Sequence, residues 1–309
     1  MNFLITGGAG FIGSHLAESL VSSGHSVTIL DSLNTGKKEN IKSIADKIEF
    51  VVGDIRDFEL LKKLFKNKDG VFHEAALASV QESFTKPAEY HDVNVRGTEN
   101  ILKLAKEFGI KVVYASSSSV YGNPARIPIK EDDPKNPINP YAQTKLDDEK
   151  LASKYAGNGV QVIGLRYFNV FGERQSSTYA GVIKKFLQLV RDNQPPVING
   201  DGSQTRDFVY VGDVVKANIA AMNSKVKHGF FNVGTDSSVS VSELADLIIE
   251  AFGSSLKPVH GPELAGDVKV TRADITLVNK LLGWKPKVDV KDWLRTVIKA
   301  KTNLDLITN

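Results

Sequence analysis

The sequence predicts an α/β protein: a doubly wound parallel sheet with helices on both faces, followed by a smaller C-terminal α/β lobe. Three observations carry this reading. Short apolar runs alternate with amphipathic stretches through the first half of the chain, and parallel strands need a helical crossover between them. The first run leads straight through a glycine-rich loop, TGGAGFIGSH, into a helix pattern. After about Gly172 the alternation loosens and turn chemistry takes over.

The elements follow in order. Asn2–Thr6 (NFLIT) reads as a buried strand, and Ile12, Leu16 and Leu20 recur at helical spacing, with Gly24 as the stop. Ser26–Leu30, Ile48–Asp54, Gly70–Ala76 and Lys111–Ser117 read as further strands. Val93–Phe108 has a helix pattern ending at Gly109. Asn139 can cap and Pro140 can open the next helix, and Val160–Tyr167 is the strand that follows it. In the second half, NGDGSQTRDFVYVGDVV combines turn residues with a short β-rich run. SVSELADLIIEAFG is a helix capped by Ser240 or Ser242, GPELAGD a loop, and DITLVNKLLGW a short helix. The expected boundaries are a first domain at 1–168 and a second lobe at 169–309, with the chain crossing back near 208–235.

Composition narrows the function. A chain of 309 residues can bury about 75% of its unfolded surface without staples. It has no cysteine, which excludes disulfides, thiolate nucleophiles and Cys-based zinc sites. The net charge of +3 is scattered, and the basic clusters are pairs such as Lys37-Lys38 and Lys184-Lys185. Nucleic-acid binding is not expected, because phosphates need cations gathered on one face. No apolar run approaches the ~18–20 residues of a membrane span, and the expectation is a cytoplasmic protein. His73, in HEAA, reads as a packed ring, and no histidine spacing calls for a metal.

Ligands on open parallel sheets bind beyond the carboxyl ends of the strands, which directs attention to the residues after each one. Gly7, Gly10 and Gly13 stand at three-residue spacing between a strand and a helix. Such glycines permit tight turns and let backbone N–H groups approach a pyrophosphate at the helix start. Asp31 ends the second strand, where a carboxylate accepts the adenosine ribose hydroxyls and repels a 2′-phosphate; this points to NAD rather than NADP. Asp54 and Ile55, after the third strand, are placed to meet the adenine, although Asp54 also suits a simple turn.

Tyr141 and Lys145, in NPYAQTK, lie one helical turn apart, about 6 Å along the axis. A free phenol is only about 0.1% ionised at neutral pH, and a neighbouring cation favours the phenolate. The spacing alone is common. Its context is the strand-end YASSSSVYG, whose hydroxyls lie where a ligand should sit, so that a serine could orient a substrate hydroxyl towards a phenolate base.

Together TGGAGFIGSH, Asp31, GDIRD, HEAA, SSSSVYG, YAQTK and RYFNVFG occur in the order seen in the extended short-chain dehydrogenase/reductases, and the similarity continues into GDGSQTRDFVYVGDVV and ADITLVNKLLGWKP. Within that superfamily the chain most resembles nucleotide-sugar 4-epimerases acting on UDP-glucose or UDP-N-acetylglucosamine. The resemblance implies a Rossmann domain holding NAD through Gly7, Gly10, Phe11, Ile12, Gly13, Asp31, Asp54, Ile55 and Ala75. It implies Tyr141 as base, Lys145 as its partner on the nicotinamide ribose, and Ser117 as the orienting hydroxyl. For the UDP-sugar it implies Asn169, Arg206, Asp267 and Thr271, the last a small residue that leaves room for a 2-acetamido group. Leu264 falls where the family usually has a diphosphate-binding arginine, and Arg174, Lys257, Lys269 and Arg272 are the possible replacements. A homodimer is implied, with Val93–Phe108 and Pro140–Tyr155 as interface helices. The superfamily's 4,6-dehydratases carry Asp-Glu before Val-Tyr-Gly and its UDP-glucuronate decarboxylases Thr-Ser-Glu; this chain has Ser118-Ser119. Epimerisation needs no such carboxylate. A UDP-glucuronate 4-epimerase and a non-catalytic NAD-binding sensor are the rival readings.

Overall fold

The computed structural model describes residues 1–175, 181–264 and 266–300. The first half contains β1 (Asn2–Thr6), α1 (Phe11–Ser22), β2 (Ser26–Asp31), β3 (Ile48–Val52), α2 (Phe58–Phe65), β4 (Gly70–His73), α3 (Val80–Thr85), α4 (Pro87–Tyr90), α5 (Gly97–Phe108), β5 (Lys111–Ser117), α6 (Pro140–Ala156) and β6 (Val162–Tyr167). The second contains β7 (Asn169–Phe171), α7 (Val182–Arg191), β8 (Val197–Asn199), β9 (Thr205–Arg206), β10 (Phe208–Tyr210), α8 (Val211–Asn223), β11 (His228–Val233), β12 (Val239–Ser240), α9 (Val241–Ala251), β13 (Val259–Gly261), α10 (Thr276–Leu282) and α11 (Val290–Ala300).

Seven strands form one sheet in the order β11-β6-β5-β4-β1-β2-β3, and every neighbouring pair is parallel. The apolar runs are nearly continuous because both faces are covered. In β1, Phe3 and Ile5 pack on the face that carries α1, α8 and α10, while Leu4 points to the face of α2, α5 and α6, as a period of two requires. The order reverses between β1 and β4, so the crevice at their carboxyl ends is the natural ligand site.

The second lobe packs Phe186, Leu187, Leu244, Ile248, Trp293 and Leu294 around Phe171 and Ile198. Short two-stranded ladders, β7 with β10, β9 with β12 and β8 with β13, frame it. Ser240, not Ser242, caps α9 by accepting from Glu243 N. Three segments of the second half belong to the first core, α8 being one through Val214, Ala217 and Ala221. β11 is the edge strand beside β6. The DITLVNKLLGW helix (α10) sets Val278, Leu282 and Trp284 on the main sheet's helical layer, where the Trp284 indole donates to the Asp213 carbonyl at 2.9 Å.

The helix expected from Val93 starts differently. Residues His91–Arg96 form a π-helical turn before α5. Buried Asn94 sits in that turn, accepting from Leu77 N (2.8 Å) and donating to Leu77 O and the Thr144 hydroxyl (both 3.0 Å). The wider turn lets one side chain clamp the loop after β4 to α6.

Helix α6 is anchored by a buried ion pair. Arg166 Nε and Nη2 each meet Glu149 at 2.8 Å, the Ser116 hydroxyl donates to Glu149 at 2.7 Å, and Tyr121 and the Glu131 carbonyl take Nη1. Removing one partner leaves a buried charge without its counterion. Glu149→Ala should lower unfolding stability by about 3–5 kcal/mol, measured as a reduced midpoint in urea.

Candidate active site

A cleft of about 1210 Å³ opens at the carboxyl ends of the strands, beside the sheet's switch point. Its cofactor-side wall includes Gly7, Gly10, Phe11, Ile12, Gly13 and Asp31, with Asp54, Ile55 and Ala75 further along. Gly7 adopts φ +72°, and a Cβ there would stand 2.7 Å from Ala75 N. A Cβ on Gly13 would collide with the Gly7 carbonyl and come within 2.8 Å of Gly8 Cα. The first turn of α1 has no capping side chain and no acidic residue, leaving its N–H groups for an anion.

Asp31 is buried, accepting from Ala9 N at 2.9 Å and Leu33 N at 2.8 Å. Burial raises its pKa, and those two amides oppose the rise. Each carboxylate oxygen keeps a second lone pair for a ribose hydroxyl. Asp54 is held below the usual carboxylate range chiefly by its hydrogen bond with Arg56, which also reaches Asp92 at 2.8 Å. These features fit a dinucleotide: a cradle that tolerates no side chain, a free helix start and an acceptor for ribose.

The reaction-side wall holds Ser117, Tyr141, Lys145 and Asn169. Asn139 caps α6 through Ala142 N at 2.8 Å, with Pro140 at the first helical position. Lys145 is buried and donates to the Ala115 carbonyl at 2.9 Å. Of the four serines, Ser116 is committed to Glu149, while Ser117 borders the cleft and accepts from Ser119 N at 3.2 Å.

Sequence reasoning missed two cleft residues, Glu74 and Tyr167. The Tyr167 hydroxyl donates to Glu74 Oε1 at 2.9 Å and accepts from Asn218 at 2.7 Å. Burial pushes Glu74 up to about 7, against the pull of Tyr167 and Lys145, because the carboxyl is enclosed although the residue borders the cleft. The signal lay in HEAA, where an acidic residue follows a strand; its neutralising environment could not be read from the sequence. Beneath it, His73 is engaged by the Thr6 hydroxyl at 2.7 Å and that of Thr98 at 2.9 Å.

Arg206, Asp267 and Thr271 are not among the residues lining this cleft. Arg206 and Asp267 pair with each other at 2.6 Å. The Thr271 hydroxyl accepts from Asp207 N at 3.1 Å. The loop carrying Asp267 approaches the start of α6, where Asn139 donates to the Gly266 carbonyl at 3.4 Å. Leu264 is exposed. Of its four possible replacements, Arg174 borders the cleft and pairs with Glu18 at 2.7 Å, whereas Arg272 is paired with Asp236. Buried Lys184 also lines the cleft, donating to the Gln175 carbonyl at 2.8 Å.

Residues 3–234 match the profile of the NAD dependent epimerase/dehydratase family. The chain belongs to that family. It is 43% identical to the putative UDP-glucose 4-epimerase of Methanocaldococcus jannaschii over 97% of this chain and 98% of that one. It is 37% identical to the UDP-N-acetyl-alpha-D-glucosaminuronate decarboxylase of Bacillus cytotoxicus, covering 96% of each. Among solved structures, the UDP-N-acetylglucosamine 4-epimerase of Methanobrevibacter ruminantium superposes with a TM-score of 0.91 at 38% identity, over 96% of this chain and 97% of that one. The extended short-chain dehydrogenase/reductase resemblance and its NAD dependence therefore hold.

Alanine at Gly13 should weaken NAD binding at least about tenfold, since the loop must withdraw to admit the methyl group. NAD released on denaturing equal amounts of variant and parent measures the loss.

Proposed function

We propose that this protein inverts C4 of a UDP-hexose, interconverting UDP-GlcNAc with UDP-GalNAc, UDP-Glc with UDP-Gal, or both. The supporting observation is that Ser117, Tyr141 and Lys145 line the same cleft as the glycine cradle. NAD⁺, which Gly7, Gly10, Gly13 and Asp31 would hold, would supply the hydride acceptor and donor needed at the sugar's C4. The Tyr141 phenolate oxygen takes the proton from O4 and later gives it back. The Lys145 ammonium favours that phenolate and holds the nicotinamide ribose. The Ser117 hydroxyl orients O4 towards Tyr141. Asn169 sits at the mouth of β7, on the diphosphate side, and Arg206, Asp267 and Thr271 serve the nucleotide and sugar from the second lobe.

Arg174 and Lys184, two of the cations lining the cleft, are candidates for the diphosphate charge where Leu264 supplies none. One relative's name is that of a decarboxylase. Epimerisation is favoured here because Ser118 and Ser119 stand where the superfamily's decarboxylases and dehydratases carry carboxylates. The proposed setting is a cytoplasmic homodimer acting on small nucleotide sugars; among the described residues no helix is long and apolar enough to cross a membrane. Pairing through α5 and α6 would bring the exposed Lys103, Lys106 and Glu107 of α5 into a charged interface.

Tyr141→Phe should reduce interconversion at least about a hundredfold while leaving released NAD unchanged. The assay compares UDP-GlcNAc, UDP-Glc and UDP-glucuronate; turnover of UDP-Glc alone would remove the acetamido substrates. Sedimentation of the wild type should give twice the monomer mass, and added salt should promote dissociation of an interface held by charge.

A further inference from the structure

Beside the proposed catalytic pair lies a buried carboxyl to which the proposed chemistry gives no role. Asp148 stands three residues beyond Lys145 on α6 and is fully buried. Its Oδ2 lies 3.4 Å from the Lys145 ammonium, whose shorter bond, 2.9 Å, goes to the Ala115 carbonyl on β5. Among the described residues, Asp148 Oδ1 has no hydrogen-bond partner, and Asp148 is the one ion-pair partner of Lys145. A helix that needed only packing at this position would carry an apolar residue, because a poorly satisfied buried carboxyl costs stability.

Of the groups around the ammonium, Glu74 is the other carboxyl that feels its charge, but only Asp148 makes an ion-pair contact with it among the described residues. From β4, His73 is pushed down to about 3 by burial and then by Lys145, so it is neutral. Glu74, just beyond that strand, is pushed up to about 7 by burial. From β5, the Tyr114 phenol is pushed up by burial and by the neighbouring Glu149 and Asp148. On α6 itself, Glu149 is matched by Arg166, and Asp147 pairs with exposed Lys150. Asp148 itself is pushed up to about 7 by burial, against the pull of Lys145 and of the Thr98 hydroxyl from α5.

We propose that Asp148 is a positioning residue acting through Lys145: it holds the ammonium beside the Ala115 carbonyl and tempers the field that this cation exerts on the Tyr141 phenol one turn earlier. The inference rests on the assignment of Tyr141 and Lys145 above. When ionised, the Asp148 carboxylate offsets the ammonium and weakens its pull on a phenolate. Without it, the ammonium acts uncompensated, the phenolate forms at lower pH, and the cation is less firmly fixed.

The test is a tyrosinate ultraviolet titration of the NAD-loaded protein, taken as the difference between each background and the same background carrying Tyr141→Phe. Asp148→Asn should move the Tyr141 transition down by about one pH unit, roughly tenfold more phenolate at a given pH. The acid limb of the turnover–pH profile should move the same way. Asp148→Ser, smaller and also uncharged, should do likewise and stands in if the asparagine variant does not fold. A titration superimposable on wild type in the folded variant, with only thermal stability changed, would overturn the proposal. Should Tyr141→Phe retain full turnover, the base is elsewhere and the assignment fails; the absorbance difference still reports whether Asp148 acts on that phenol.

Discussion

The pairing of Glu149 with Arg166 holds together what the rest of this site requires. It pins the middle of α6 to β6, and through Ser116 to the end of β5. The same helix carries Lys145 one turn and Tyr141 two turns earlier. A helix stitched only by apolar contacts could slide or rotate slightly. Two parallel charge-assisted bonds fix both its height and its azimuth, which sets where Tyr141 and Lys145 stand along the cleft they share with Ser117 and the glycine cradle. Lys145 makes a second stitch, to Ala115 on the same strand.

The first half of the fold was legible because its signals are local. Buried parallel strands are apolar throughout, and glycine with positive φ or an Asn-Pro pair marks a turn whatever lies across the sheet. β1, α1 and β5 follow from such signals almost residue for residue, and so does the start of α6 at Asn139. The π-turn before α5 was not legible: Asn94 looks like any polar helix residue until Leu77 is seen beside it. Nor was the place of α10, whose amphipathic stripe does not say which core it will meet.

The site divides along the same line. Gly7, Gly13, Asp31, Tyr141 and Lys145 follow from chain order, because the loops after parallel strands must converge. Glu74, Tyr167, Asn218 and Asp148 depend on contacts between distant segments, and burial raises the proton affinity of Glu74, Tyr167 and Asp148. Arg206, Asp267 and Thr271 were reached through resemblance. In the structure they are joined to one another and to the Asp207 neighbourhood rather than to the cleft wall.

Asp207 itself has a mechanical consequence. Its buried carboxylate receives the Thr235 amide and hydroxyl and the Ala273 amide, joining the ends of three passages of chain. Together with β11 returning to the main sheet, this makes the link between the nucleotide-fold half and its cap a braid rather than a single tether. A braid resists twisting, so any opening of the cap for exchange of bound sugar should be a shallow tilt. The cap could not be excised or transplanted as a separate module without leaving β6 as a raw sheet edge.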